Sequence, residues 1–547
     1  MMSGLVGYYT KVGRDSSGAT LTRILSINSI TTAQRFDFAS RAEIACWGVH
    51  CHLTRQDENS LTATLSASGL AHSIDIEAKI DSYALTLSRD EFGRAPMFWT
   101  QTDNTLWFAS RLDLLLSVAR KEISLAGLYG YLCFSYVPAP ETAIADIHSI
   151  PAGSALTWSA VDSFIPVQSR VNEWSESDSL IDTEEEAVDR LKILLEESIR
   201  DQLSDISDEP VGVFLSGGLD SSIAAALLVR AGARVRAYTL DFGKHGLAEL
   251  PFAETLAKAL RIPLTRVEAS PRKIKRALRS TVRALDLPYG DGVTVPLYLL
   301  NETASRDCSI VFNGEGGDQL FAGWTNKPLI ASGVYGANSE SDFRHHYLRT
   351  FHRLHGYEES VFAPEALKKI ITLDPLVWIE DALDAKSTVS LLHRLRRANL
   401  MLKGAQNIQP RATSLAFAHG LKVRTPFCYK PLASFTFEVA GDLFLRGPCE
   451  KYLLKRAVEE WLPAEIVWRE KRGMGVPLTP WCLGPLGSLL KKHLSSRAFK
   501  ADGFLAPDLA RRIERGDLSG HIQGRRIGET LWLLVMWQLW QELADGG

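Results

Sequence analysis

The chain has 547 residues and a mass of 60.5 kDa, more than one ordinary core supports, so two or more domains are expected. Hydrophobic residues at 46% and charged residues at 23% exclude fibrous and disordered classes. A net charge of −3 gives no field that draws the protein to nucleic acid or an anionic membrane. Seven cysteines exclude a disulfide framework and point to reduced thiols. No basic region precedes a long apolar run at Met1–Gly7, and no stretch reaches the roughly 18 apolar residues of a membrane span. The expectation is a cytoplasmic, multidomain enzyme without a nucleic-acid or membrane partner.

Residues 1 to about 165 read mostly as strands. Ile44–Val49 is a short apolar run, Tyr83–Ser88 alternates with period two, and Leu106–Ala109 follows a turn at Asp103-Asn104. Helices are expected over 110–120 and 122–132. A polar, acidic segment at 166–183 reads as a linker. From 184 the pattern changes. Ala187, Leu191, Leu194, Leu195 and Ile199 mark an amphipathic helix over 184–202. Strands at 211–215, 235–240 and 264–267 then alternate with helices at 221–231 and 251–260, which indicates a parallel sheet covered on both faces. Beyond about 340 the pattern is mainly helical and ends in an apolar helix at 528–544.

Two glycine clusters carry the chemistry. Ser216-Gly217-Gly218-Leu219-Asp220-Ser221-Ser222 lies between a buried strand and a helix. Glycines let backbone N–H groups converge, the helix N-terminus adds positive charge, and the hydroxyls of Ser216, Ser221 and Ser222 offer further donors, a combination suited to pyrophosphate. No Walker motif occurs; the loop matches that of enzymes that cleave ATP between the α- and β-phosphates. Asn313-Gly314-Glu315-Gly316-Gly317-Asp318 follows a second strand at 308–312. Asp220 and Asp318 together make a plausible carboxylate pair for Mg²⁺ on ATP phosphates.

These motifs resemble the synthetase domain of the asparagine synthetase family. Asp241-Phe242 after Tyr238-Thr239-Leu240 is similar to its adenine-side strand, and Leu287–Asp291 to its DEPFAD segment. Ala418–Phe427 resembles AHGLEVRVPF, Lys451–Lys455 resembles KYLLR, and Arg469–Pro477 resembles RPKxGFGVP. Nearer the N-terminus, Arg89–Phe98 resembles RDxFGxxPLYY. The resemblance implies an α/β protein of two parts. An α+β sandwich like an N-terminal-nucleophile hydrolase would span 1–165, followed over 184–547 by a parallel-sheet ATP-pyrophosphatase domain with a helical C-terminal part. It implies a carbon–nitrogen ligase that uses ATP and Mg²⁺ to adenylate a carboxylate, which an amine or ammonia then attacks. Leu215, Ser216, Gly217, Gly218, Asp220, Ser221, Ser222, Leu240 and Gly314 would bind the nucleotide, and Asp220 and Asp318 the metal. Lys471 would stabilise developing negative charge, and Glu315 would accept a proton from the attacking nitrogen.

The chain departs from the family in two places. Glutamine-dependent members need Cys directly after the initiator Met; Ser3 stands there, after two Met residues, and the RGPD, NGEIYN and GSDTE signatures have no match. No glutamine hydrolysis is expected, unless translation from Met2 exposes Ser3 as the nucleophile. The family's Asp-Arg pair before SMAH is Thr413-Ser414, and its PFLD is Pro426-Phe427-Cys428-Tyr429. These changes leave the ATP loop intact and put aspartate as substrate in doubt. Relatives without a working glutaminase include β-lactam synthetases, which carry Tyr at the place of Glu315, and lasso-peptide cyclases, so a precursor peptide is one candidate substrate. A homodimer, an RNA-modifying enzyme and a non-enzymatic scaffold are the other readings carried forward. Cys46, His50, Cys51 and His52 lack the second half of a zinc site, and His345, His346, His352 and His355 read as a polar helical stretch.

Overall fold

The computed structural model describes residues 3–11, 17–38, 41–48, 51–57, 60–70, 72–161, 164–171, 173–243, 249–323, 336, 339–351, 354–470, 475–518 and 526–546. Its first part stacks two antiparallel six-stranded sheets. One holds β1 (Gly4–Thr10), β2 (Gln34–Phe38), β3 (Ala42–Trp47), β8 (Phe98–Thr102), β9 (Thr105–Ala109) and β10 (His148–Ser149), in the order β10-β8-β9-β1-β3-β2. The other holds β4 (Cys51–Asp57), β5 (Ser60–Leu65), β6 (Ile76–Asp81), β7 (Ala84–Arg89), β11 (Ser154–Ser159) and β12 (Val167–Arg170), in the order β12-β11-β7-β6-β5-β4.

Period two explains why β1 is buried throughout. Leu5 and Tyr9 face the second sheet, packing with Ile44, Leu61, Leu85 and Trp158. Val6 and Tyr8 face the opposite side, where helices α1 (Ser17–Ile27) and α2 (Leu125–Phe134) supply Leu21, Ile24 and Leu128. Strand β7 is covered on one face only, so it alternates, with Leu85, Leu87 and Arg89 buried. The Ser124 hydroxyl accepts the Gly127 N–H at 2.9 Å and fixes the start of α2, close to the expected helix.

The helix expected over 110–120 is instead one 3₁₀ turn at Leu112–Leu115. Three of its four residues are leucines and all three are buried, a crowding that a helical stripe does not produce, while the first N–H of the turn, that of Leu112, is capped by Asp286. The segment read as a linker begins with strand β12, and Trp174 within it is buried against Phe92 and Phe437.

The second part holds a five-stranded parallel sheet. Its strands are β13 (Val211–Phe214), β14 (Val235–Asp241), β15 (Leu264–Glu268), β16 (Ile310–Phe312) and β17 (Lys422–Arg424), in the order β15-β14-β13-β16-β17. Ahead of the sheet runs α3 (Glu184–Gln202), whose Ala187, Leu191, Leu195 and Ile199 form one buried stripe at four-residue spacing. Crossovers run through α4 (Leu219–Arg230), α5 (Leu250–Leu260), α6 (Pro271–Arg283) and α7 (Thr294–Ala304). From β13 the chain winds outward to β15 and then returns to place β16 on the other side of β13. This reversal opens a crevice at the C-terminal ends of β13 and β16. The remainder is mainly helical, as expected, apart from β17 and a short hairpin at Leu445–Arg446 and Cys449–Glu450.

The two parts are joined by buried polar contacts. The fully buried Arg424 donates to Ser68 O at 2.9 Å and forms a fork on Asp205 at 2.7 and 2.8 Å. Arg89 reaches from β7 to Ala405 O at 3.2 Å. The last helix, Arg526–Gly546, is buried from Leu531 through Trp537 and again at Leu539 and Trp540, which fits its continuous apolar run, and Tyr131 donates to Leu533 O at 2.8 Å. Among the described residues no helix is long and apolar enough to cross a membrane.

Asp286 sits at this junction. Its carboxylate accepts the Leu112 N–H at 3.0 Å, and its carbonyl accepts the Trp540 indole N–H at 3.1 Å. Burial, and next the Asp113 charge, push its carboxyl up to about 7. Between the ordinary carboxyl value near 4 and about 7, the folded state holds a proton that the unfolded chain has released. The group therefore removes stability as pH rises through that window, and the loss is complete above about 7. Urea titrations of Asp286→Asn and wild type across this range should show the variant gaining relative stability as pH rises; a pH-independent difference would contradict this account.

Candidate active site at the crevice of the parallel sheet

Strand β13 ends at Phe214, and Leu215 extends it by donating its N–H to Tyr238 O at 2.8 Å. The chain then turns at Gly217, where φ is +74°, and enters α4 with Gly218 as N-cap. A Cβ at Gly217 would lie 2.6 Å from Ala253 N, so only glycine brings the loop this close to α5. Within the loop, Ser216 and Ser221 hydroxyls lie 3.1 Å apart, and the Ser221 hydroxyl accepts the Ser216 N–H at 3.2 Å. The Ser222 hydroxyl, fully buried, donates to Gly218 O at 2.7 Å. These hydroxyls thus brace the loop; the convergent donors are the backbone N–H groups at the start of α4.

The second loop leaves β16 at Phe312. The Asn313 side chain accepts the Glu315 N–H at 3.0 Å, and Glu315 O accepts the Thr425 hydroxyl at 2.7 Å. A Cβ on Gly314 would lie 2.5 Å from Ser221 N, so this glycine sets the distance between the loops. A four-residue helix, Gly317–Leu320, carries Asp318.

Two acids expected to act together are brought together. Lys451 Nζ lies 2.5 and 2.6 Å from the two oxygens of Asp220 and 2.5 Å from Asp318 Oδ1. Its side chain is 2% exposed, against 13% for Asp220 and 33% for Asp318, so the acids lie between a buried cation and the open crevice. Carboxylates that converge on one point fit a divalent cation that also takes phosphate oxygens. Among the described residues there is no group of three or more His, Cys, Asp or Glu that could hold a metal without such outside ligands.

Leu240 is the penultimate residue of β14, one strand from the first loop, and is partly exposed. Lys471 lies outside the described residues. Its flanks are placed: the Arg469 guanidinium donates to Gly217 O at 3.1 Å and stacks on Phe252 at 3.9 Å, while Leu478 packs against Gly292. On the far side, Asp291 accepts from Arg411 at 2.8 Å and from Asn407 at 3.0 Å. Asn407 lies in a π-helix, Leu400–Ile408, which also packs on Gln319 beside Asp318, and Arg411 in the α-helix Gln409–Phe417 that continues it. Thr413 and Ser414 are buried on the next turn. Neither Lys451 nor Arg469 is assigned a role from sequence. The signal was present in the Lys451–Lys455 and Arg469–Pro477 motifs; only the fold shows the first meeting Asp220 and the second meeting Gly217.

At the start of β1, Ser3 is 5% exposed. Gly48 covers it so closely that a Cβ there would collide with the Ser3 hydroxyl, and the Trp47 ring lies over Gly4.

Comparison with known proteins agrees with this arrangement. Residues 190–542 match the family model described as asparagine synthase, and residues 78–166 match the glutamine amidotransferase domain. The chain is 23% identical over 501 residues to asparagine synthetase (glutamine-hydrolyzing) 1 of Bacillus subtilis, covering 85% of this chain and 76% of that one. It is 26% identical over 494 residues to a putative asparagine synthetase (glutamine-hydrolyzing) of Mycobacterium bovis, covering 84% and 74%. Among solved structures, NMN synthetase from Francisella tularensis covers 40% of this chain and 92% of its own at 16% identity, with a TM-score of 0.21, too low to add to the topology above. With nearly two thirds of its length matched by one family model, the chain belongs to the asparagine synthase family of carbon–nitrogen ligases.

Proposed function

We propose that the chain is an ATP-dependent, AMP-forming amide ligase that adenylates a carboxylate and passes the acyl group to an amine, without drawing ammonia from glutamine. The observation that carries this reading is the convergence of Asp220 and Asp318, from neighbouring strands, on one cationic point beside the first loop.

In this reading the backbone N–H groups entering α4 hold the β- and γ-phosphates. Asp220 and Asp318 would hold Mg²⁺, which when bound offsets phosphate charge. Lys451, behind both acids, and Arg469, on the Gly217 carbonyl, fix the walls of the phosphate site. The acyl carboxylate oxygen attacks the α-phosphorus, forming acyl-adenylate and releasing pyrophosphate. Lys471 stabilises the negative charge that develops as the adenylate forms and again as the amine adds to the acyl carbon, Glu315 takes the proton from that nitrogen, and AMP leaves. Leu215, Leu240 and Gly314 line the nucleoside side.

The acyl substrate is read as something other than free aspartate. The Arg411 guanidinium is held by Asp291 and Asn407, and Thr413 and Ser414 occupy the place of a charged pair. A carboxylate carried on a peptide or another larger molecule fits this loss of charge. Support for independence from glutamine comes from Ser3, which lies beneath Gly48 and carries a hydroxyl where the family uses a thiol.

Pyrophosphate–ATP exchange tests the reading. Labelled pyrophosphate should enter ATP only when the right carboxylate is present, with peptide carboxylates stimulating exchange and aspartate leaving it at background; no exchange with any carboxylate would refute ligase chemistry. Asp220→Ala and Lys471→Ala should each lower the exchange rate by about 10²–10³, the usual cost of one metal or oxyanion contact. Lys451→Met should lower it as well, by separating the two acids; full activity would remove Lys451 from the site. Glutamine incubated with the protein and MgATP should release no ammonia above background, and ammonia release abolished in Ser3→Ala would reverse the assignment.

A further inference from the structure

Two thiols that this chemistry does not use meet in the N-terminal sandwich. Cys46 lies on β3 and is 3% exposed; Cys51 opens β4 and is partly exposed. Their Sγ atoms are 2.6 Å apart. That is well inside the roughly 3.5–4 Å at which non-bonded heavy atoms rest, and close to the about 2.05 Å of a sulfur–sulfur bond. Strand β3 belongs to the first sheet and β4 to the second, so the contact spans the place where the chain crosses between sheets. The crossing passes through Trp47 and Gly48, the latter at φ +83° and seated on Ser3.

We propose that Cys46 and Cys51 are a covalent modification site: a reversible disulfide that staples the two sheets of the sandwich beside Ser3. The oxidant is a small disulfide of the glutathione class. Cys51, the more exposed thiol, loses its proton and attacks one sulfur of glutathione disulfide, releasing one glutathione thiolate. Cys46 then loses its proton and attacks the Cys51 sulfur, releasing the second. Two protein thiols are oxidised, one glutathione disulfide is reduced to two thiols, and the released thiolates take up the two protons. The adjoining Cys46 sulfur, and then burial, hold the Cys51 thiol well above its usual range, so the first attack is slow and the second, between touching sulfurs, is fast.

The partners are specific. Cys133, Cys308 and Cys482 are buried elsewhere in the fold, and Cys428 and Cys449 lie in the second part. Full-length protein incubated with glutathione disulfide, alkylated in denaturant and mapped unreduced by mass spectrometry should lose two of its seven thiols and yield one linked peptide joining Cys46 to Cys51. Dithiothreitol should restore both thiols. In Cys46→Ser, glutathione should persist on Cys51, because the resolving thiol is gone. Seven alkylated thiols in the treated wild type, a lasting glutathione adduct on wild-type Cys51, or linkage between other cysteines would each overturn the proposal.

Discussion

The ammonium of Lys451, held between Asp220 and Asp318, is the contact on which the candidate site depends. Two carboxylates on loops of adjacent strands repel, and a crevice of low dielectric strengthens the repulsion. A buried cation touching both cancels it and leaves one negative charge in excess, facing the opening. The backbone is shaped to allow this. Gly314 lets the second loop approach the first turn of α4, and Gly217 lets that loop settle on α5. Removing the cation would leave two partly buried acids on adjacent loops without their shared counter-charge, a larger penalty than losing one surface ion pair.

Around this centre, each wall comes from a different stretch of chain. Arg469 braces one side through Gly217 O and the Phe252 ring. The opposite side is set where the π-helix passes into the α-helix Gln409–Phe417: Asn407 from the first and Arg411 from the second, four residues apart and so on one face, both reach Asp291. The site is thus assembled from loops of a rigid parallel sheet and a wall of irregular helix.

Much of this was legible in the residues. Strand–glycine–helix order marked both loops, period-two patterning marked β7, and the four-residue spacing of α3 gave its buried face. What escaped were interactions between residues distant in the chain. Lys451 lies 231 positions from Asp220, and nothing local marks its side chain as buried between acids. The helix expected over 110–120 is one short turn, whose first N–H, that of Leu112, is capped by the Asp286 carboxylate 174 positions away. Strand β17 has only three residues, too short for any periodicity, and is a strand because β16 pairs with it. The expectation of simple reduced thiols did not anticipate two sulfurs placed in contact across a sheet-to-sheet crossing.

Strand β17 also bears on what the N-terminal sandwich does for the parallel sheet. It is an outermost strand of the parallel sheet, and such strands present unpaired backbone groups that recruit other chains. Here the Val423 N–H goes to Ala67 O, and Arg424 anchors on Ser68 O, so the sandwich caps the edge. The sandwich thereby protects the sheet from growing across molecules, and a chain trimmed to the synthetase part alone would carry a sticky border in place of a finished one.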